Sequence, residues 1–178
     1  LKKGGQVSRY TPAAGLIELR KAVAAKFKRD NTLSYTPEQC IVSCGAKHSI
    51  FNALAALVED GDEVLVPAPY WVSYPEMCAF LGAKPVILDT SKTGMVLTPE
   101  ALRAAISPRT RVLLVNTPGN PTGAVWSEQQ QRALAQVLAI EVGHAVLGDN
   151  VMDVGARGND ARAQPQIGRN PANALGGN

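Results

Sequence analysis

The sequence predicts an α/β fold with a mostly parallel sheet covered on both faces. Two observations carry this. Four short runs, "EVLVPAP", "AKPVILD", "RVLLVN" and "AVLGD", are nearly all apolar. A strand with one wet face alternates apolar and polar residues, whereas one covered on both sides does not. Segments of helical periodicity separate these runs, and strand–helix alternation of this kind builds a parallel sheet with right-handed crossovers.

The elements follow in chain order. "LIELRKAVAAKFKR" (Leu16 to Arg29) places Leu16, Leu19, Val23 and Phe27 at helical spacing, with basic residues toward its end where the helix dipole favours them. "TPEQ" offers Thr36 as a cap and Pro37 at the first helical position. "CIVSCG" (Cys40 to Gly45) reads as a short β-branched strand, followed by a helix from about Ala46 to Val58. After the "EDGDE" turn, "EVLVPAP" is a buried strand ended by prolines. Residues from about Trp71 to Leu81 look helical, and "AKPVILD" is the next strand. "TPEALRAAI" is a helix capped by Thr98 with Pro99 first. "RVLLVN" is a strand, Ser127 caps a helix to about Ala139, and "AVLGD" is a last short strand. From Asn150 the pattern collapses into a Gly-, Asn-, Ala- and Pro-rich stretch without strand run or helical period, read as an irregular tail. The expected organisation is therefore one partial domain over 1–149 and a tail over 150–178.

Composition bounds the function. The chain has 178 residues, 46% apolar and 19% charged, which suits a folded domain rather than a disordered one. A net charge of +3 from scattered basic residues tracks no phosphate backbone, so nucleic acid is not an expected partner. No apolar run approaches the length of a membrane span. Three cysteines, Cys40, Cys44 and Cys78, lie in apolar segments and are expected to be reduced, buried thiols of a cytoplasmic protein. Cys40, Cys44 and His48 fit no usual zinc spacing, so no metal is expected. The first residue is leucine, which points to processing or to a piece of something longer.

Ligands in open α/β sheets sit beyond the carboxyl ends of the strands. That rule selects Gly45 to Lys47, Pro69 to Trp71, Asn116 to Gly123 and Asp149. In "CGAKHS" a glycine precedes a helix start, leaving the N–H groups of Ala46 and Lys47 available to an anion such as phosphate, with Ser43 or Lys47 assisting. Such junctions are also common in structure without any ligand. Trp71 follows a strand end, where an indole either stacks on a flat ring or fills the core. In "NTPGNPTG", Pro118 and Pro121 restrict the residues before them, and Gly119 and Gly123 permit positive φ. The turn thus fixes Asn120, whose amide either meets a ligand or closes an Asn turn on itself. Asp149 suits a metal, a histidine or a protonated ring nitrogen. No Walker loop, G-x-G-x-x-G fingerprint or nucleophile elbow is present.

Four ordered stretches, "YTPAAGLIELRKAVAA" from Tyr10, "GAKHS" from Gly45, "PYWVSYPEM" from Pro69 and "NTPGNPTG" from Asn116, together resemble the class I aminotransferases. The likeness is to the bacterial aspartate aminotransferase branch and covers roughly Lys2 to Asp149. It implies the three-layer, mostly parallel sheet of the large domain of fold-type-I pyridoxal-phosphate enzymes, here incomplete. It also implies transfer of an amino group between an amino acid, L-aspartate by preference, and a 2-oxo acid, in a homodimer with no membrane or nucleic-acid partner. By the same resemblance Ala46 and Lys47 bind the cofactor phosphate, and Lys47 also reaches a dicarboxylate's distal group. Trp71 stacks on the pyridine ring. Asn120 bonds the phenolic oxygen and helps place the substrate carboxylate. Asp149 pairs with the ring nitrogen, and Tyr10 reaches the phosphate of the neighbouring subunit.

The chain departs from the family pattern after Asp149. Met152 stands where the family's D-x-x-Y motif has tyrosine, and no lysine follows Lys92, so the Schiff-base lysine of the family's serine-lysine motif is absent. The arginine that grips the substrate α-carboxylate and the usual amino-terminal segment are missing too. Lysine is the base that shuttles the proton in this chemistry. The sequence therefore predicts no catalytic residue of that kind and negligible turnover by this chain alone, with an exposed sheet edge. The abrupt change at Asn150 suggests a frameshift or truncated gene copy, which resequencing the encoding DNA tests. Two other readings stay open: a non-catalytic cofactor-binding or protein-interaction remnant, and a piece of another fold-type-I enzyme such as a C–S lyase.

Overall fold

The structure, a computed structural model, describes residues 10–141, 145–148 and 152–153. The chain divides into two compact units, whose described parts are residues 10–49 and the residues from Ile50 onward.

In the first unit, α1 (Ile17–Asn31) runs two residues beyond the sequence expectation and ends at Thr32 in the left-handed region (φ 59°). Arg20 ties α1 to the segment that follows, its Nε donating to the carbonyls of Pro37 (2.8 Å) and Cys40 (2.9 Å). "TPEQ" forms a single 3-10 turn over Pro37–Gln39, with the Thr36 N–H donating to Gln39 Oε1 at 2.9 Å. Cys40 to Gly45 is not a strand. Cys40 is extended, the Val42 N–H bonds the Ala14 carbonyl and the chain bends at Cys44 and Gly45, but no described strand pairs with the segment and Ile41 is 66% exposed. A β-branched run supplies propensity, while a strand also needs a neighbour. Gly15 (φ +93°) lies against Val42: an added Cβ would sit 2.7 Å from the Val42 Cβ. Helix α2 (Ala46–Leu57) begins in this unit and continues into the second.

Among the described residues the second unit holds a five-stranded sheet in the order β2-β1-β3-β4-β5. Its strands are β1 (Glu63–Ala68), β2 (Lys84–Asp89), β3 (Thr110–Val115), β4 (Ala145–Gly148) and β5 (Met152–Asp153). The first four pair in parallel, and β5 runs antiparallel to β4. Residues 152–153 fall in the stretch that showed no strand signal, so the expectation of a tail without strands is corrected there. Helices α3 (Ser73–Phe80), α4 (Pro99–Ala105) and α5 (Glu128–Glu141) connect the strands. Thr98 caps α4 by accepting from the Ala101 N–H at 3.2 Å. Ser127 and Gln130 cap α5 reciprocally, each backbone N–H donating to the other's side-chain oxygen (2.8 and 3.3 Å).

Alternation along the strands makes three layers. Val64, Val66, Val112 and Leu114 face one way and pack with Ile50, Leu54, Tyr74 and Cys78 of α2 and α3. Leu65 and Leu113 face the other way and pack with Leu102, Leu134, Val137 and Leu138 of α4 and α5. Val64, Leu65 and Val66 are fully buried, each burial worth about 1.5–3 kcal/mol. β2 is an edge strand, and its Ile87 is 45% exposed.

Cys40 and Cys78 are buried free thiols, but Cys44 is exposed, correcting the expectation for that residue: it lies just before α2, on the segment that has no described strand beside it. Burial within α3 pushes the Cys78 thiol up to about 11. Among the described residues no helix is long and apolar enough to cross a membrane, and no group of three or more His, Cys, Asp and Glu is placed to hold a metal.

Candidate functional site

In the second unit the carboxyl ends of β1 and β3 open onto a small cleft whose lining includes Tyr70, Tyr74, Thr90, Asn116, Asn120 and Trp126. Each wall has an identifiable cause. β1 ends at Ala68, and its carbonyl accepts from both the hydroxyl (2.7 Å) and the N–H (3.1 Å) of buried Thr90, pinning the exits of β1 and β2 together. The chain then turns through Pro69 and Tyr70 into Trp71, whose carbonyl accepts from the Tyr74 N–H at 3.0 Å. Tyr74 is buried at 3% exposure, and its hydroxyl accepts from Asn116 Nδ2 at 3.1 Å.

Asn116 is the first residue after β3 and opens the "NTPGNPTG" loop. Thr117 Oγ1 accepts from the Trp126 N–H (2.9 Å), closing the neck. The Gly119 N–H bonds the Ala124 carbonyl (2.7 Å), and the Gly123 N–H bonds the Gly119 carbonyl (2.6 Å). Gly123 is left-handed (φ +71°), as expected. Gly119 is not; an added Cβ would meet Thr122 Oγ1 at 2.8 Å, so the threonine hydroxyl, which accepts from the Ala124 N–H at 3.1 Å, would have to move. The peptide bonds preceding Pro69, Pro118 and Pro121 are cis. The Trp126 indole donates to the Met95 carbonyl at 2.9 Å.

Asn120 lies on this loop, exposed, and its amide has no hydrogen-bond partner among the described residues. The alternative of an Asn turn closed on itself is therefore not what the chain adopts. Trp71 is half-buried against the first core cluster and does not line the cleft itself; its neighbour Tyr70 does.

The first unit carries the other candidates. Gly45 is left-handed (φ +88°) and immediately precedes α2. The Cys44 N–H donates to His48 Nδ1 (3.1 Å), giving that histidine a local structural role. Ala46 and Lys47 are exposed in the first turn of α2, where backbone N–H groups lack intrahelical acceptors. Tyr10 is fully exposed. Asp149 lies outside the described residues, as does the tail apart from β5.

The sequence reading overlooked Tyr74 and Thr90, and gave Asn116 no role although it stands in the same motif as Asn120. The apolar surroundings of Tyr74 in "PYWVSYPEM" were the available signal.

A three-layer α/β unit with a neutral polar cleft beyond its strand ends belongs to the class of sheets that bind small molecules at that edge. Residues 1–173 match the aminotransferase class I and II family, and the chain belongs to it, among the fold-type-I pyridoxal-phosphate aminotransferases. It is 48% identical over 147 residues to the aspartate/prephenate aminotransferase of Thermus thermophilus, covering 82% of this chain and 38% of that protein. It is 41% identical over 131 residues to the aspartate aminotransferase of Bacillus subtilis, covering 73% of this chain and 33% of that one. The solved aspartate aminotransferase from Thermus thermophilus with maleate matches with a TM-score of 0.75 at 47% identity, over 79% of this chain and 37% of that chain. The aromatic aminotransferase from Pyrococcus horikoshii matches with a TM-score of 0.77 at 34% identity, over 83% and 39%. The chain thus spans less than half the length of each of these relatives.

Proposed function

We propose that this chain supplies the cofactor-holding part of a pyridoxal-phosphate-dependent aminotransferase acting between a dicarboxylic amino acid, L-aspartate, and a 2-oxo acid. The observation that carries the reading is Asn120: an exposed amide without a described partner, presented at the sheet's carboxyl edge on a loop bonded across its own neck. A side chain held this way serves a ligand oxygen better than it serves the fold.

Taken singly, the candidate groups suit parts of a phosphorylated aromatic ring. The amide of Asn120 matches its phenolic oxygen, and the indole of Trp71 matches its face. The first-turn N–H groups at Ala46 and Lys47 match its phosphate. Asp149 would hold the proton on the ring nitrogen, and Tyr10 would reach the phosphate of a second copy in a homodimer. When bound, pyridoxal phosphate supplies an electron sink. Lys47 and Asn120 would then orient a substrate with two carboxylates, and Trp71 would exclude water from one face of it. The printed names of the relatives, aspartate and aspartate/prephenate aminotransferases, support that substrate class. The proposed setting is cytoplasmic.

The step that moves a proton at the substrate α-carbon needs a lysine, and Lys47, which this reading assigns to the phosphate, does not replace it. The 178-residue chain alone is therefore expected to bind cofactor without turning over. Titration with pyridoxal phosphate followed by absorbance, with an aspartate transamination assay in parallel, tests both statements. Saturable binding without activity is the expected result. Stoichiometric trapping of the cofactor on one lysine by borohydride, with measurable turnover, would sink the claim that no competent lysine is present.

A further inference from the structure

We infer that Tyr74 and Asn116 are a positioning pair that sets the spacing between Trp71 and Asn120. The inference rests on the reading that those two residues hold the cofactor ring. Trp71 and Tyr74 share one turn, joined by the bond from the Tyr74 N–H to the Trp71 carbonyl (3.0 Å). Asn116 stands four residues before Asn120, at the point where β3 releases the loop. The bond from Asn116 Nδ2 to Tyr74 Oη (3.1 Å) joins the two segments across 42 residues of sequence.

Both sides of this bond are rigid. Tyr74 is 3% exposed and packed among Ile50, Leu54, Val66 and Leu114, so its phenol has a fixed address. The loop is bonded to itself, through Thr117 with Trp126, Gly119 with Ala124, and Gly123 with Gly119. Such a loop moves as a body, and its orientation is decided where it leaves the sheet, at Asn116. A bond at that root displaces or restrains Asn120 at the tip. Phenylalanine would fill the same core volume with no polar atom to satisfy, and a buried hydroxyl is unfavourable unless bonded. The contribution of the Tyr74 hydroxyl thus lies in what it holds.

The variant Tyr74→Phe keeps the ring and removes the acceptor. Two readouts are taken on the full chain: amide hydrogen exchange at Gly119 and Gly123 without cofactor, and the dissociation constant for pyridoxal phosphate. Loss of one neutral hydrogen bond predicts about fivefold faster exchange at both glycines and about fivefold weaker binding. The amides of Leu65 and Val66 in β1 serve as reference and should not change. Asn116→Ala is the second variant, and the double variant should be no worse than either single one, the signature of a coupled pair. Unchanged exchange at the two glycines overturns the inference whatever the cofactor does. Faster exchange with unchanged affinity, in a wild type that binds, overturns it as well. Faster exchange in a chain whose wild type fails to bind pyridoxal phosphate supports the pair and sinks the cofactor reading instead.

Discussion

The two ends of the same parallel strands are chemically opposite. At the amino end, Glu63 is buried and fully engaged: Ser107 Oγ donates to it at 2.6 Å, Arg109 at 3.1 Å, and Lys84 approaches to 3.6 Å. Beside it Arg111 reaches Asp62 at 3.3 Å. Arg111 is free to do so because the β1–β3 register slips there, Glu63 facing Thr110 while Val64 faces Val112, which leaves Arg111 as a bulge. In the cleft at the carboxyl ends of β1 and β3 the described lining groups are neutral, two phenols, two carboxamides, two threonine hydroxyls and an indole, and the exposed carboxylate Asp89 that ends β2 lies outside that lining. One amide there, Asn120, has no described partner. The amino end uses its charge to close the sheet, while at the carboxyl end the Asn120 amide is left with hydrogen-bonding capacity that, on the proposed function, goes to the cofactor.

The largest expected effect comes from the part common to both ends. Leu65 is fully buried between β1 and the helices α4 and α5. Leu65→Ala should lower stability by about 2–5 kcal/mol, through lost transfer energy and a cavity. Denaturant unfolding measures it, and any loss of cofactor binding should follow global unfolding rather than precede it. Glu63→Gln acts at the amino end alone. It keeps the shape but weakens the bonds from Ser107 and Arg109, for an expected loss of about 1–3 kcal/mol. Affinity for pyridoxal phosphate in the folded protein should not change. If it falls more than a few-fold, the two ends are coupled and the charge at the amino end acts on the cleft as well as on the sheet.

Asn120→Ala should invert that result. An exposed residue without described bonds contributes about 0.5 kcal/mol or less to stability. A bond from its amide to an ionised phenolic oxygen is worth about 1.5–3 kcal/mol, so affinity should fall about tenfold or more. Paired melting curves and cofactor titrations of these two variants separate the ends directly.

Legibility in the sequence divided along similar lines. The apolar runs of β1, β2 and β3 and the caps at Thr98 and Ser127 were readable because burial and capping are local demands on residue type. The constrained loop that carries Asn120 was readable because two prolines and two glycines restrict its backbone. The supposed strand at Cys40 to Gly45 was not, since its β-branched residues have no described neighbour to pair with, and Ile41 is exposed instead. Gly119 was assigned to the right loop for the wrong reason: its φ is not positive, and an added Cβ would instead crowd the Thr122 hydroxyl. The bond between Asn116 and Tyr74 was invisible, because nothing local tells a carboxamide which phenol, 42 residues away, the fold will bring to it.

The smallest effect is the pH dependence of the amino end, and it sharpens the contrast most specifically. The bond from Ser107, then that from Arg109, holds the Glu63 carboxyl below the usual glutamate range. A carboxyl with a depressed folded pKa is protonated more readily in the unfolded chain, so the unfolded state binds more protons in the intervening window and stability rises with pH there. The contribution of Glu63 is therefore complete above its unfolded pKa of about 4.3 and is lost as pH falls through the lower folded value. Wild type and Glu63→Gln should differ most near neutrality and converge in acid. The cleft groups Thr90, Asn116, Asn120 and Trp126 carry no proton that titrates in that range, so Asn120→Ala should run parallel to wild type throughout. Thermal midpoints of the three proteins from about pH 7 to about pH 3 provide the check. A Glu63→Gln curve parallel to wild type would show that the buried carboxylate, despite its partners, adds nothing specific to its ionised form.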